Sequence, residues 1–269
     1  MTRPDPGDTL GYGMHLAYAG STDVGRRRTH NEDAYLLLPE EQVFCVADGM
    51  GGHASGEVAA RIAVEEMAEF FRMTGRDEEA TWPFKEDPAR AHDENRLLTG
   101  VKLANQRIHE RAQSDARLKG MGTTLVAAYF VKGTEAVLVG HVGDSRAYLY
   151  RSGTLRQLTE DHSLLNDYVK NRNPTPEEIA AFPHKYVIVR ALGMKASVEV
   201  DLQRVALEDG DVLLLCCDGL SGMVQDADVA EIIGSSARDL RRAAQRLVDA
   251  ANDAGGMDNI TCVLAQVRA

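Results

Sequence analysis

The strand-like segments of this chain occur in blocks, and this order is the feature that most constrains its fold. Short loops that contain glycine join several neighbouring segments, such as residues 132–134 and 151–153, and such loops favour antiparallel hairpins. No regular strand–helix alternation is present, so the sequence predicts an α+β fold with antiparallel sheets in a layered body. The predicted strands are 14–19, 34–38, 42–47, 123–131, 135–142, 146–150, 155–158, 186–191, 199–205, 211–217 and 260–267.

Helical periodicity separates these blocks. Residues 55–73 and residues 97–108 place apolar side chains at helical spacing on one face. Two further helices are predicted late in the chain, one from Asp226 to just before Gly234 and one from about residue 235. Helices between strand blocks would cover the outer faces of the sheets.

The chain divides into a short N-terminal arm and one large domain. Residues 1–13 are rich in Pro, Asp and Gly and are predicted to be an arm, with a single domain over 14–269. Within it, residues 74–95 form an acidic excursion that we expect Trp82 and Phe84 to pin to the body. A solvated loop is favoured over a partner surface for this segment. Residues 163–185 are polar, with one short helix near Thr175.

Charge and hydropathy exclude several classes of protein. The net charge is −11 and no basic track is present, which argues against a nucleic-acid partner. The longest apolar run we find, 125–131, is far shorter than the roughly 20 residues that a spanning helix needs. The N-terminal residues lack the apolar stretch of a signal peptide. We therefore expect a cytoplasmic protein with no membrane anchor of its own.

Cysteine usage agrees with a reducing compartment. The four cysteines lie in apolar strand-like runs, with no CxxC pair, and we expect structural roles. Neighbours Cys216 and Cys217 should face opposite sides of one strand.

Acidic residues recur where an apolar strand meets a turn. Taken singly, each is explained by a turn. Taken together, a cluster of carboxylates at one sheet end is an equally good interpretation, and it would need cations to offset repulsion. Oxygen donors suit Mg²⁺, Mn²⁺ or Ca²⁺ better than zinc, and glycine at position 49 would let a backbone carbonyl approach as a ligand. The candidates are Glu32, Asp33, Asp48, Asp144, Asp218 and Asp258.

At the level of motifs, the chain resembles the bacterial form of the PP2C-type (PPM) metal-dependent protein phosphatases. Eight segments match in the family's order and span nearly the whole chain, which makes the resemblance specific. They are STDVGRRRTHNED (21–33), VADGMGGHASGEVA (46–59), MGTTLVAA (121–128), HVGDSRAYL (141–149), LTEDHSLL (158–165), VIVRALG (187–193), CCDGL (216–220) and DNIT (258–261).

The resemblance implies a four-layer αββα sandwich, with two central antiparallel sheets flanked by helices and a flap over 163–185. It also implies a metal centre with two Mn²⁺ or Mg²⁺ ions and a third, weaker site. Asp48 would bridge the two ions, and Asp33 would act through water or as a support. The other implied ligands are Asp218 and Asp258 for one ion, Glu32 and the Gly49 carbonyl for the other, and Asp144 with Asp218 for the third.

The same resemblance implies the reaction and its organic groups. It implies hydrolysis of phosphoserine and phosphothreonine by metal-activated water, without a covalent phosphoenzyme. Arg28 would bind the substrate phosphate, because a guanidinium fork suits a phosphate dianion. His53 would be the general acid for the leaving alkoxide. Asp23 and Thr123 match the family as structural supports.

Partners and alternatives follow from this reading. Phosphoprotein substrates and an opposing Ser/Thr kinase are the implied partners. The family commonly has Asn and Thr where this chain has Tyr186 and Val189, which bears on specificity rather than activity. A pseudophosphatase that only binds is disfavoured because every carboxylate of the metal set is present, and a nuclease-like hydrolase is disfavoured by the acidic charge.

Overall fold

The computed structural model describes residues 15–51, 55–77, 80–172, 174–184 and 187–268. All strand pairs in these residues are antiparallel, as the hairpin pattern predicts. The strands are β1 His15–Asp23, β2 Asp33–Leu38, β3 Val43–Met50, β4 Gly122–Thr123, β5 Leu125–Phe130, β6 Ala136–Val142, β7 Arg146–Arg151, β8 Thr154–Gln157, β9 Asp201–Ala206, β10 Val212–Cys216 and β11 Ile260–Arg268. The helices are α1 Ser55–Arg76, α2 His92–Ser114, α3 Leu164–Arg172, α4 Pro176–Ala181, α5 Asp218–Ser221, α6 Asp226–Ser236 and α7 Leu240–Asp253.

Two sheets make the centre of the molecule. One has the strand order β1-β11-β10-β7-β8, and the other has the order β2-β3-β5-β6-β9 with β4 paired to β3. Helices α1 and α2 cover the outer face of the second sheet, and α6 and α7 cover that of the first. The architecture is therefore the α+β sandwich of four layers that the resemblance implies.

Alternation of side chains along the strands builds three apolar layers. In β3, Phe44 and Val46 point between the sheets, whereas Cys45 points toward the helices. In the first sheet, Cys216 faces the α6–α7 layer and Cys217 faces the middle layer, as predicted. Strands β3 and β10 are thus buried on both faces over most of their length, which explains why their sequences are continuous apolar runs.

The acidic excursion is shorter than predicted, because α1 continues to Arg76 and α2 begins at His92. Trp82 is half-buried and packs edge-to-face on Phe70, with ring centroids 5.7 Å apart. It pins this connection to α1, as expected. The predicted arm, 1–13, lies outside the described residues.

Predictions of element boundaries were wrong in two helices. Gly234 lies inside α6, where a Cβ would come within 2.4 Å of the Tyr150 hydroxyl, so the glycine serves packing and not helix termination. The last helix begins at Leu240, and Asp239 is its N-cap, accepting a hydrogen bond from the Arg242 amide at 3.1 Å.

Three other segments also differ from the prediction. The strand predicted over 123–131 is interrupted at Thr124, giving β4 and β5. Residues 187–191 form no strand, and Ile188 makes only an isolated bridge to Ser163. Within 163–185, α4 corresponds to the predicted helix, but α3 was missed because it has no buried residue to produce an apolar face.

Candidate metal centre

The second sheet brings two carboxylates to one end of the sandwich. Asp33 opens β2 and Asp48 lies near the end of β3, and the two residues are direct partners in the antiparallel ladder. Directly opposed residues have Cβ atoms about 5 Å apart, so the register alone places these carboxylates together. The Thr261 hydroxyl of β11 donates to Asp33 Oδ2 at 2.6 Å, which ties the pair to the first sheet.

The first sheet adds Asp218 and Asp258 at the same end. Asp218 follows β10 and Asp258 precedes β11, and these strands pair up to Cys216 opposite Cys262. Between them the backbones approach so closely that a Cβ at Gly219 would lie 1.9 Å from the Asn259 carbonyl oxygen. Glycine at 219 therefore allows the two acidic segments to lie side by side.

Burial and mutual repulsion disfavour the ionised form of these clustered carboxylates. Burial raises the pKa of Asp33 to about 7, and the neighbouring carboxylates add to it. Burial, followed by repulsion from Asp33, Asp218 and Asp144, holds the pKa of Asp48 well above its usual range. Burial and the nearby Asp258 also raise the pKa of Asp218. Without a cation, the group can avoid repulsion only by keeping protons.

Asp144 joins the cluster from the loop between β6 and β7. Its Oδ1 is buried, with no hydrogen-bond partner among the described residues, and burial followed by repulsion from Asp218 raises its pKa to about 7. A cavity of about 170 Å³ is lined by Asp144 and Asp218, together with Arg146 and Asp161. Arg146 is engaged by Asp161 at 2.7 Å, and its charge offsets only part of the effect of burial and repulsion on Asp144.

Glu32 and Gly49 meet at the start of α1. A Cβ at Gly56 would lie 2.3 Å from Glu32 Oε2, and a Cβ at Gly49 would lie 2.3 Å from the Gly56 carbonyl oxygen. Only glycine at both positions lets the Glu32 carboxylate and the Gly49 backbone approach this closely. The structure thus brings Glu32 to the edge of the group that holds Asp48.

This donor set fits divalent metal ions that prefer oxygen. It consists of carboxylates and a backbone carbonyl, it is partly buried, and one of its buried oxygens has no partner among the described residues. Cations at these positions would offset the repulsion that otherwise raises the pKa values. Hard cations such as Mn²⁺ and Mg²⁺ match this chemistry.

Arg28 lies at the rim of the carboxylate cluster, in the loop between β1 and β2. Its Nη2 donates to Asp258 Oδ2 at 2.7 Å, and its side chain is 54% exposed. The guanidinium is therefore adjacent to the carboxylates and also reachable from solvent. Its position suits a group that binds an anion arriving at the cluster.

Asn259 holds the loop that carries Arg28, a role that the sequence did not predict. Its amide nitrogen donates to the carbonyls of Val24 and His30, and its Oδ1 accepts from the Glu32 amide at 2.8 Å. One buried side chain thus fixes both ends of the loop that carries Arg28. In the sequence, only its place next to Asp258 pointed to it.

Cys217 also lies closer to the site than its sequence context suggested. Its Sγ and the carboxylate oxygens of Asp33 and Asp48 all lie within 4.8 Å of one another. Burial, and then the charge of Asp33, raises the pKa of this thiol well above its usual range. Its Sγ donates to the Asn259 carbonyl at 3.4 Å and accepts from the Thr261 amide at 3.0 Å, which is the hydrogen bonding of a protonated thiol.

The two predicted supports contact the site through the backbone. Thr123 donates its hydroxyl to the Asp48 carbonyl at 2.8 Å, and Asp23 Oδ1 accepts from the Gly25 amide at 2.8 Å. His53, the predicted general acid, lies outside the described residues. Its role stays a prediction.

Comparison with known proteins agrees with this picture. The family model described as Protein phosphatase 2C matches residues 23–265. The serine/threonine phosphatase stp of Listeria welshimeri is 39% identical over 260 residues, covering 94% of this chain and 96% of that protein.

Solved structures give the same result. The serine/threonine phosphatase PstP/Ppp of Mycobacterium tuberculosis has a TM-score of 0.81 at 33% identity, over 94% of this chain and 99% of that one. The catalytic domain of the phosphatase PstP in complex with two manganese ions has a TM-score of 0.79 at 34% identity, over 95% of this chain and 100% of that one.

Proposed function

Because this chain belongs to the protein phosphatase 2C family, we propose that its carboxylate cluster is the catalytic centre of a phosphoserine/phosphothreonine phosphatase. The chain is a metal-dependent hydrolase of phosphoproteins, and its cofactor is Mn²⁺ or Mg²⁺. The observation that supports the proposal best is the convergence of Asp33, Asp48, Asp144 and Asp218 with mutually raised pKa values.

The proposed metal ligands come from both sheets and from the loops at their ends. Asp48 would contact both ions, since it is near carboxylates from both sheets, Asp33 on one and Asp218 on the other, which repel it. Asp33, held by Thr261, would act through water or orient the others. When bound, such a pair of ions lowers the pKa of water and stabilises charge on the phosphoryl oxygens. The remaining proposed ligands are Asp218 and Asp258 for one ion, Glu32 and the Gly49 carbonyl for the other, and Asp144 with Asp218 for a third.

The chain's own groups would bind the phosphate and supply a proton. Arg28 would donate to two phosphoryl oxygens, and its exposed position lets the phosphate of a folded or unfolded protein reach it. The charge on these oxygens is best stabilised by donors fixed in advance, and Asn259 fixes the Arg28 loop. His53 is proposed as the donor of the proton to the leaving alkoxide.

The wider setting is also a proposal. We place the protein in the cytoplasm, opposing a Ser/Thr kinase in a signalling pathway. All four cysteines are free thiols and buried, which is the usage of reducing compartments. No helix in the described part of the chain combines the length and the hydropathy that a bilayer crossing needs.

The test is release of phosphate from a phosphothreonine peptide. Purified protein is assayed with Mn²⁺, with Mg²⁺ and with EDTA, beside an Asp218→Asn variant and a control Glu65→Gln in the exposed face of α1. We expect metal-dependent turnover that is lost with EDTA and in Asp218→Asn, and kept in the control. Calorimetric titration with Mn²⁺ should show weaker binding in Asp218→Asn independently of turnover.

Three outcomes would contradict the proposal. A folded wild-type protein that binds Mn²⁺ but releases no phosphate would be a binding module. Full activity of Asp218→Asn would remove this cluster from the reaction. Faster hydrolysis of single-stranded DNA than of phosphopeptide would favour a different phosphate ester as substrate.

A further inference from the structure

A groove of about 490 Å³ lies next to the metal centre, on the segment that follows the flap. Its volume is in the range of sites that accept a ligand. Its wall is apolar and polar in nearly equal parts, and it is open to solvent. The apolar side chains that line it include Met50, Val189, Ala191, Met194 and Val198.

The groove begins at the strand that carries the proposed bridging ligand. Met50 lies two residues after Asp48 in β3, about 7 Å along the strand. Met50 pairs with Gly122 of β4, and a Cβ at Gly122 would lie 3.2 Å from Met194 Sδ. The groove therefore begins beside the metal centre, close enough for a polypeptide whose phosphorylated residue lies at Asp48 to place a neighbouring side chain in it.

The side chains of the groove are more exposed than is usual for their type. Val189 is 46% exposed and Met194 is 53% exposed. Together with Val187, they place three of the seven exposed large apolar side chains of the described residues within the short range 187–194. Clustered exposure of this kind is typical of a binding surface.

The charges of the groove leave one cation available. Arg190 is engaged by Asp201 at 2.5 Å and by Glu199 at 3.7 Å. Among the described residues, no carboxylate lies within ion-pair distance of Lys195, which also lines the groove. The surface therefore suits an apolar side chain accompanied by an acidic one.

We infer that this groove binds the substrate polypeptide beside its phosphorylated residue and selects an apolar side chain there, with an acidic residue at Lys195. Three extended residues span about 10 Å, so a side chain within three positions of the phosphothreonine reaches the groove. The inference rests on the proposed phosphatase function and names its substrate class. Val189 and Met194 are the specificity-determining residues.

The test compares paired phosphothreonine peptides. Within each pair, one member carries Leu and the other Ser at a single position, one to three residues before or after the phosphothreonine. We expect kcat/KM with Mn²⁺ to favour the Leu member by about tenfold in at least one pair, the discrimination that one apolar contact provides in a pocket. Rates on p-nitrophenyl phosphate, which is too small to reach the groove, are used to normalise each variant.

Substitutions in the groove test whether it is the cause of the preference for Leu. Val189→Thr keeps the shape of the side chain but introduces a hydroxyl, and Met194→Gln keeps its length but makes it polar. Each substitution should reduce the ratio of kcat/KM between the Leu and Ser peptides to within about twofold. Met73→Gln, an exposed methionine at the far end of α1, is the matched control and should leave the ratio unchanged. A peptide with Asp next to the Leu, on the side away from the phosphothreonine, should have a higher kcat/KM than one with Lys there. Lys195→Glu should reverse that order.

Three results are distinguishable. Equal rates on the Leu and Ser members of every pair would overturn the inference while leaving the phosphatase function intact. A Leu preference that persists in both Val189→Thr and Met194→Gln would place the selection elsewhere and also overturn it. Absence of turnover on every peptide and on p-nitrophenyl phosphate would instead count against the proposed function.

Discussion

Replacing Asp144 with asparagine should stabilise the metal-free protein at neutral pH. The pKa of this buried carboxyl is raised from 3.8 to about 7, because burial and the nearby Asp218 disfavour its charged form. The folded state therefore binds this proton more tightly than the unfolded state does. It follows that the free energy of unfolding falls as pH rises from about 4 to about 7, and the penalty is complete above that.

The magnitude follows from the size of the shift. A pKa that is about three units higher in the folded than in the unfolded state corresponds to about 4 kcal/mol of stability, as an upper value for one group. Asparagine has no proton to lose, so Asp144→Asn escapes this penalty. A buried amide has its own cost, but that cost does not vary with pH. The difference between variant and wild type should therefore grow by up to about 4 kcal/mol between pH 4 and pH 8.

The assay is urea unfolding in EDTA at several values between pH 4 and pH 8. Adding Mn²⁺ at pH 8 should raise the stability of the wild type more than that of Asp144→Asn, since binding to the folded state stabilises it. Glu65→Gln, an exposed change on α1, should give a difference that does not depend on pH. A difference between Asp144→Asn and wild type that stays flat from pH 4 to pH 8 would refute the reasoning.

Three further perturbations address other parts of the molecule. Arg28→Lys should raise KM for a phosphopeptide by about tenfold to a hundredfold, because a forked charge-assisted contact is lost, and unchanged steady-state kinetics would contradict this role. His162 Nδ1 accepts from the amide of Gly143 at 3.0 Å and so holds the backbone next to Asp144. His162→Ala should therefore raise the Mn²⁺ concentration needed for half-maximal activity, whereas His162→Asn, which keeps a hydrogen-bond acceptor, should raise it less. Arg96→Met should cost about 3–5 kcal/mol in urea unfolding, because it removes the partner of the buried Glu41 at 3.1 Å and leaves only Lys132, which is farther away at 3.9 Å. A loss below about 1 kcal/mol would contradict this expectation.

The sheets could be predicted from the sequence because their strands lie in apolar layers. Strands β3 and β10 are buried on both faces, and their apolar runs show it directly. Helix α3 could not be predicted in this way, because all its residues are at least partly exposed and no apolar stripe marks it. Residues 187–191 have strand-like composition, but in the structure they lie along the groove and not in a ladder.

The site was predictable in its composition but not in its contacts. Acidic residues at strand ends indicated the cluster, because a strand fixes where its last side chain lies. Which of them meet depends on register, and the pairing of Asp33 with Asp48 is set by β2 and β3 together. The loop contacts of Asn259 and the position of Cys217 join residues far apart in sequence, which no local pattern reports.

The division of the carboxylates between two sheets has a consequence for residues far from them. Asp48 belongs to one sheet and Asp258 to the other, so the gap between them depends on how the sheets are aligned. That alignment is set by the middle layer, where Phe44 of β3 contacts the ring of Tyr18, in β1 of the opposite sheet, with ring centroids 5.4 Å apart. Phe44 lies about 13 Å from Asp48 along β3. On the proposed ligand assignment, the affinity for metal depends on the alignment of the two sheets, and a substitution in the apolar centre of the sandwich should change that affinity.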